Sequence, residues 1–224
     1  MNKQGKGKIE WTDWTWNPIK GLCPVGCWYC YARAMYQNPR YGWDNLIRLD
    51  TKELARPITM KKPVKIFVCS TFELFHPSIR GRRSMIFDVI ESCPQHTFQI
   101  LTKMPENIDR PMPDNVWLGV SITKHVDFGK KLPQLYRSKA KVKFISFEPL
   151  LENEMDAFRY QGWLNGGVDW IILGRLTGHG KAGDPNYPML RDMVDYAKDE
   201  GIPVFLKHNL KHIWPGELVQ EWPE

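Results

Sequence analysis

The sequence predicts an α/β fold of parallel strands, a partial (open) (β/α)6–7 barrel of the TIM type, formed as one domain over residues 1–224. Three observations predict it. Short apolar runs rich in Val, Ile, Phe and Trp recur along the chain, as in strands buried on both faces. Helical stretches separate them, which implies parallel pairing through right-handed crossovers. The six or seven units and 224 residues fall short of the eight strands and roughly 250 residues of a full barrel. A doubly wound open sheet meets the same pattern and stands as the alternative.

Trp14–Asn17 (WTWN) offers a strand ahead of the first cysteines. Val64–Cys69 (VKIFVC), Thr97–Leu101 (TFQIL), Val116–Val120 (VWLGV), Val142–Phe147 (VKFISF), Asp169–Leu173 (DWIIL) and Pro203–Leu206 (PVFL) follow. Helices are expected over Tyr31–Gln37, over Ile79–Ser92 with Met85, Ile86, Val89 and Ile90 on one face, and over Phe128–Tyr136, where Pro133 interrupts. A last helix, Met189–Glu200, gathers Leu190, Met193, Val194 and Ala197 and is ended by Gly201.

The hydrophobic share of 42% with 25% charged residues fits a globular chain. Met1–Lys8 is polar and basic with no apolar run behind it, so no signal peptide is expected. No stretch approaches the roughly 18 apolar residues of a membrane span. A cytoplasmic protein with no membrane partner is the expectation, and the oligomeric state stays open. The cysteines agree: five is odd, and three lie between positions 23 and 30. In a reducing compartment such a cluster points to metal binding or catalysis rather than disulfides. The net charge of +6 comes partly from the groups Lys61, Lys62, Lys65, from Arg80, Arg82, Arg83, and from Lys130 to Lys143. Such a surface attracts phosphates; it equally serves solubility.

In barrels and open sheets alike, working residues collect at the carboxyl ends of the strands. Those ends are polar here. Ser70, Thr71 and Glu73 follow one strand, Thr102 and Lys103 the next, then Ser121, Glu148, Gly174 with Arg175, and Lys207 with His208.

Gly21–Ala32 reads GLCPVGCWYCYA, with Cys23, Cys27 and Cys30 spaced Cys-x3-Cys-x2-Cys. Thiolates suit iron–sulfur clusters and zinc, and Gly21 and Gly26 permit a tight loop. Zinc would need a fourth ligand, a histidine or Cys69, and would make the chain a zinc-containing nucleic-acid-binding module without catalysis. Cys69 and Cys93 sit in or beside apolar segments and read as core packing.

The cysteine spacing, the aromatic Tyr29 before the last cysteine, and the place of the loop between a first strand and a first helix resemble the radical S-adenosylmethionine (SAM) superfamily. The pieces IEWTDWTWNP, GCWYCYA, FVCSTFELFH, FQILTK, VWLGVSI and FISFEPLL are similar to a phage and prokaryotic family of radical-SAM-like proteins of unassigned function. That family usually carries Gly-Gly-Glu-Ser-Gly after the sixth strand, where this chain has Gly174-Arg175-Leu176-Thr177-Gly178 and lacks the acid.

The resemblance implies a [4Fe-4S] cluster on Cys23, Cys27 and Cys30, with SAM at the iron left free. It implies one electron from a low-potential donor of the flavodoxin or ferredoxin type. SAM cleavage then yields methionine and a 5′-deoxyadenosyl radical, which takes hydrogen from a substrate. Tyr29 belongs to the cofactor site. Ser70, Thr71 and Glu73 stand where the superfamily holds the SAM amine. Lys103 is placed to pair with the SAM carboxylate, Ser121 with the ribose, and Glu148 with the ribose or the substrate. Plainer roles compete: a solvated lysine at 103, a helix-start acid at 148. A nucleobase or nucleic acid is the substrate class that the basic balance favours. Trp11, Trp14, Trp16, Trp28, Trp43 and their neighbouring tyrosines can stack on bases, though covering the cluster and packing the core is the favoured role.

Overall fold

The computed structural model describes residues 1–151 and 167–224. Strand β1 (Asn2–Lys3) lies antiparallel to β2 (Trp14–Trp16). β3 (Ile19–Lys20) leads into the cysteine loop, and α1 (Tyr31–Gln37) follows it. β4 (Arg48–Leu49) pairs with β3, and the single turn α2 (Thr51–Leu54) comes next. The chain then runs β5 (Lys65–Val68), α3 (Arg80–Ser92), β6 (Thr97–Thr102), β7 (Val116–Ser121) and α4 (Val126–Arg137). It ends with β8 (Val142–Phe147), β9 (Trp170–Leu173), α5 (Tyr187–Asp199) and β10 (Val204–Leu206).

The fold is α/β, with a mostly parallel eight-stranded sheet in the order β1-β2-β5-β6-β7-β8-β9-β10. Every pairing from β2 to β10 is parallel. The order follows the chain without the reversal of a doubly wound sheet. β10 does not pair with β1, so the sheet is not closed.

The sheet is nevertheless curled, and Trp11 shows how strongly. β5 and β9 stand four places apart, about 19 Å in a flat sheet at about 4.8 Å per strand. One indole reaches both: the Trp11 ring lies 4.6 Å from Phe67 on β5 and 6.2 Å from Trp170 on β9. The segment carrying Trp11 is tied to the far edge, since Glu10 accepts from the His208 backbone N–H at 2.7 Å.

Side chains alternate across each strand, and this divides the core. One set packs toward the helices: Ile66, Val68, Ile100, Leu118, Ile145, Ile171 and Val204 among them. The inner face carries Trp11, Phe67, Phe144, Trp170, Ile172 and Phe205 as a second cluster. Gly119 makes room there, because a Cβ would lie 2.3 Å from the Phe144 ring. Two residues further along the same alternation, the inner face turns polar at Ser121, Ser146, Glu148 and Lys207. The aromatic plug and the polar rim are thus one pattern.

The helices bury the faces their periodicity marks, with exceptions. In α3, Met85 is 43% exposed, and Phe87 and Arg83 are buried instead. Arg83 donates to the carbonyls of Leu74 and Asn107 and to Asp109, so it does not belong to the basic surface. α4 runs through Pro133. The proline costs about 3 kcal/mol in a helix interior. Burying Phe128, Leu132 and Leu135 on one stripe returns about 1.5–3 kcal/mol each, which outweighs it. Among the described residues no helix is long and apolar enough to cross a membrane.

Candidate functional site

One cavity opens at the carboxyl ends of the parallel strands. Cys23, Cys27, Cys30 and Tyr29 line it from the loop between β3 and α1. Ser70, Thr71 and Glu73 line it after β5, Lys103 after β6, Ser121 at the end of β7 and Glu148 after β8. All ten residues singled out in the sequence therefore face a single space. Its volume, counted out to the open mouth, is about 1100 Å³.

The turn after β5 begins at Cys69, whose φ of 55° is left-handed, a conformation rare for residues other than glycine. It is held by the Cys69 N–H donating to Trp16 O at 2.8 Å. Asn17 Oδ1 accepts from Ser70 Oγ at 3.2 Å and from the Thr71 N–H at 3.3 Å. Tyr31 donates to the carbonyl of Ser70 at 3.0 Å. Ser70 and Thr71 are thereby fixed on the wall. Cys69 is buried at the cavity edge, and burial pushes its thiol pKa up to about 12.

Glu73 is buried and spends its carboxylate on the protein. Oε1 accepts from Thr102 Oγ1 at 2.6 Å and the Phe75 N–H at 3.0 Å, and Oε2 accepts from the Lys103 N–H at 2.8 Å. Its role is to fix the backbone from which Lys103 projects. The Lys103 ammonium lies 5.7 Å from the centre of the Tyr29 ring. Burial lowers its pKa, against the opposing pull of Cys27 and Glu73. Burial likewise raises the Cys23 thiol, so a thiolate there needs a cation to neutralise it.

Ser121 is 1% exposed, and its Oγ has no hydrogen-bond partner among the described residues. Buried hydroxyls are almost always paired, and this one lines the cavity, so a ligand hydroxyl or a water is its natural complement. Its backbone carbonyl takes the Lys131 ammonium at 2.8 Å, and Lys131 also pairs with Asp127 at 2.9 Å. Burial works against Asp127 ionising, yet the Thr123 and Lys124 N–H groups and Lys131 hold its carboxyl below the usual range.

Glu148 forms an ion pair with Lys207, and its other oxygen accepts from Trp11 Nε1 and Ser146 Oγ, both at 3.1 Å. No helix starts at Glu148 or the two residues after it.

A family model described as "Protein of unknown function (DUF5131)" matches residues 6–215. The chain belongs to this family. Comparison with curated proteins and with solved structures found no match. The DUF5131 segment contains every cavity-lining residue, from Ile9 to Asn209.

Trp11, Asn17, Tyr31, Arg175, Lys207 and Asn209 complete or brace the site in this DUF5131 chain. Lys207 and Arg175 carried a signal as polar strand ends, and Trp11 as an aromatic expected to cover the cluster or pack the core; Asn17 and Asn209 carried none. Leu176 lines the wall in the segment where an acid was expected.

Among the described residues no three His, Cys, Asp or Glu side chains converge to hold one metal ion. The three cysteines are free and half-buried, and all three line the cavity. Thiolates are soft donors, the type that an iron–sulfur cluster takes, one for each iron it binds.

Proposed function

We propose that this DUF5131 chain is a radical SAM enzyme, with a [4Fe-4S] cluster on Cys23, Cys27 and Cys30 and SAM bound beside it. The observation that carries the reading is the convergence of the three cysteines and the seven proposed cofactor residues on one cavity at the strand ends. When bound, the cluster and SAM supply a one-electron reductive cleavage whose 5′-deoxyadenosyl radical abstracts hydrogen from a substrate.

The chain's own residues bind, orient and shield. Lys103 offers a cation to the SAM carboxylate, from a backbone clamped by Glu73. Ser70 and Thr71, set by Asn17, offer oxygens to the amine. Ser121 Oγ, buried and free, is ready for a ribose hydroxyl. Glu148, held by Lys207, Trp11 and Ser146, faces the ribose or the substrate. Tyr29 covers the cysteine side, while Trp11 and Phe67 close the floor and keep water out.

The sequential strand order and the curl support reading the sheet as a partial TIM-type barrel left open. The free thiols suit a reducing cytoplasm, where a flavodoxin- or ferredoxin-type protein would deliver the electron. The test is anaerobic reconstitution with iron and sulfide. The reading requires about four irons and four sulfides per chain; a colourless protein holding one zinc would refute it.

A further inference from the structure

A second concavity adjoins the cysteine-lined cavity and shares Ile9, Tyr31, Ser70, Thr71, Thr177 and Lys207 with it. Its outer wall is the stretch after the cysteine loop. Residues 37–46 are exposed throughout, and they carry the aromatic side chains Tyr41 and Trp43. Trp43 packs on Tyr36 at 5.0 Å and on Tyr41 at 5.5 Å between ring centres, yet 42% of it and 47% of Tyr41 remain exposed. Tyr31, on the wall common to both spaces, is 50% exposed. Large aromatic faces left in water are costly, and here they form a path that ends at the cavity.

Charged groups line this concavity: Lys8, Lys20, Arg48 and Lys207 against Asp44, Asp50 and Glu53. The acids are matched by Arg48, Lys20 and the amino terminus, and Lys207 by Glu148, which leaves Lys8 in excess. Aromatic faces interleaved with cations are the chemistry that takes up single-stranded nucleic acid, bases on rings and phosphates on guanidinium groups. A duplex offers no free base faces to such a wall.

We propose that the groove lined by Tyr31, Tyr36, Trp43 and Arg48 binds single-stranded nucleic acid and leads one nucleotide toward the cavity. The proposal rests on the radical SAM reading only for what happens to that nucleotide, and the groove's binding is independent of it.

The test is fluorescence anisotropy with a labelled 12-nucleotide single strand, as RNA and as DNA, and with the same sequence as a duplex. The single strand binds in preference to the duplex, and affinity falls as salt rises. Trp43→Ala weakens it by about fivefold or more, as does Tyr31→Ala, since each removes one stacking face; Trp43→Phe retains most of it. Circular dichroism confirms that each variant is folded. Protein prepared without iron and sulfide binds the strand as the reconstituted protein does, so loss of the cluster reading leaves this result standing. Equal affinity for duplex, unchanged affinity in both alanine variants, or Trp43-dependent self-association in sedimentation with no strand binding would each overturn the proposal. The last of these would make the face a contact between two copies of the chain.

Discussion

The carboxylate of Glu148 and the ammonium of Lys207 meet over the bare Cα of Gly174. They project from β8 and β10, with β9 between them. A Cβ on Gly174 would lie 2.9 Å from Lys207 Cδ and 3.1 Å from Glu148 Cγ. The ion pair therefore bridges two strands only because the third has no side chain there.

The two partners are not equivalent. Glu148→Ala strands the Lys207 cation and leaves Trp11 Nε1 and Ser146 Oγ without their acceptor. The side chains of the pair are only 16% and 19% exposed, so the expected loss is about 3 kcal/mol. Lys207→Met leaves Glu148 two donors, and the expected loss is about 1 kcal/mol. Gly174→Ala falls between them, at roughly 1–3 kcal/mol from overpacking. Urea denaturation ranks the three; a larger loss in Lys207→Met than in Glu148→Ala would contradict this account.

Lys103→Met keeps the fold and the iron content but weakens SAM binding by about 10- to 150-fold, the loss of one charge-assisted hydrogen bond worth about 1.5–3 kcal/mol. Glu73→Gln gives a smaller loss of the same kind, because one of its three hydrogen bonds near Lys103 goes. A SAM titration of the reconstituted protein reads both. Unchanged affinity in Lys103→Met would leave the SAM carboxylate with another partner.

Asp127 links the site to pH. Its carboxyl is held below the usual carboxylate range by Thr123, Lys124 and Lys131, so it is stabilising when ionised. That contribution is complete above the unfolded value of about 3.9 and is lost as pH falls through the lower folded value. Asp127→Asn should therefore be less stable than the wild type by about 1–3 kcal/mol near neutral pH. The gap should close in strong acid. Parallel denaturation curves across the acid range check it; a gap independent of pH would refute the assignment.

Much of this was legible beforehand because it depends on local pattern. Val142–Phe147 is a strand at the same bounds, and the other runs lie within a residue or two. Each is an apolar run too short for a helix. The polar residue after each run pointed to the cavity, since a parallel sheet places all those ends together. What escaped depends on distant partners. Trp11 closes the inner face through rings on β5, β8 and β9, which no spacing near position 11 reveals. The polar end of β5 gave Glu73 as a cofactor contact, whereas Thr102 and Lys103, some 30 residues away, claim its oxygens. β3 and β4 are two residues each, too short for any alternation to register.

The cysteines divide by position. Cys23→Ala, Cys27→Ala and Cys30→Ala should each lose the iron, because each thiolate holds one iron of the cluster. Cys69→Ala and Cys93→Ala should keep it, at a packing cost of about 1–2 kcal/mol, since both thiols are buried in the core. Iron and sulfide analysis of the five variants decides it, and full iron in Cys27→Ala would remove the cluster from this loop.

The most direct measurement is the fate of SAM on the reduced, oxygen-free protein. Dithionite supplies the electron, and the products are resolved by chromatography and mass. The expected products are 5′-deoxyadenosine and methionine in equal amounts, formed slowly without substrate and not at all by Cys27→Ala. S-adenosylhomocysteine as the sole product, or intact SAM in the presence of a full cluster, would contradict the radical SAM reading.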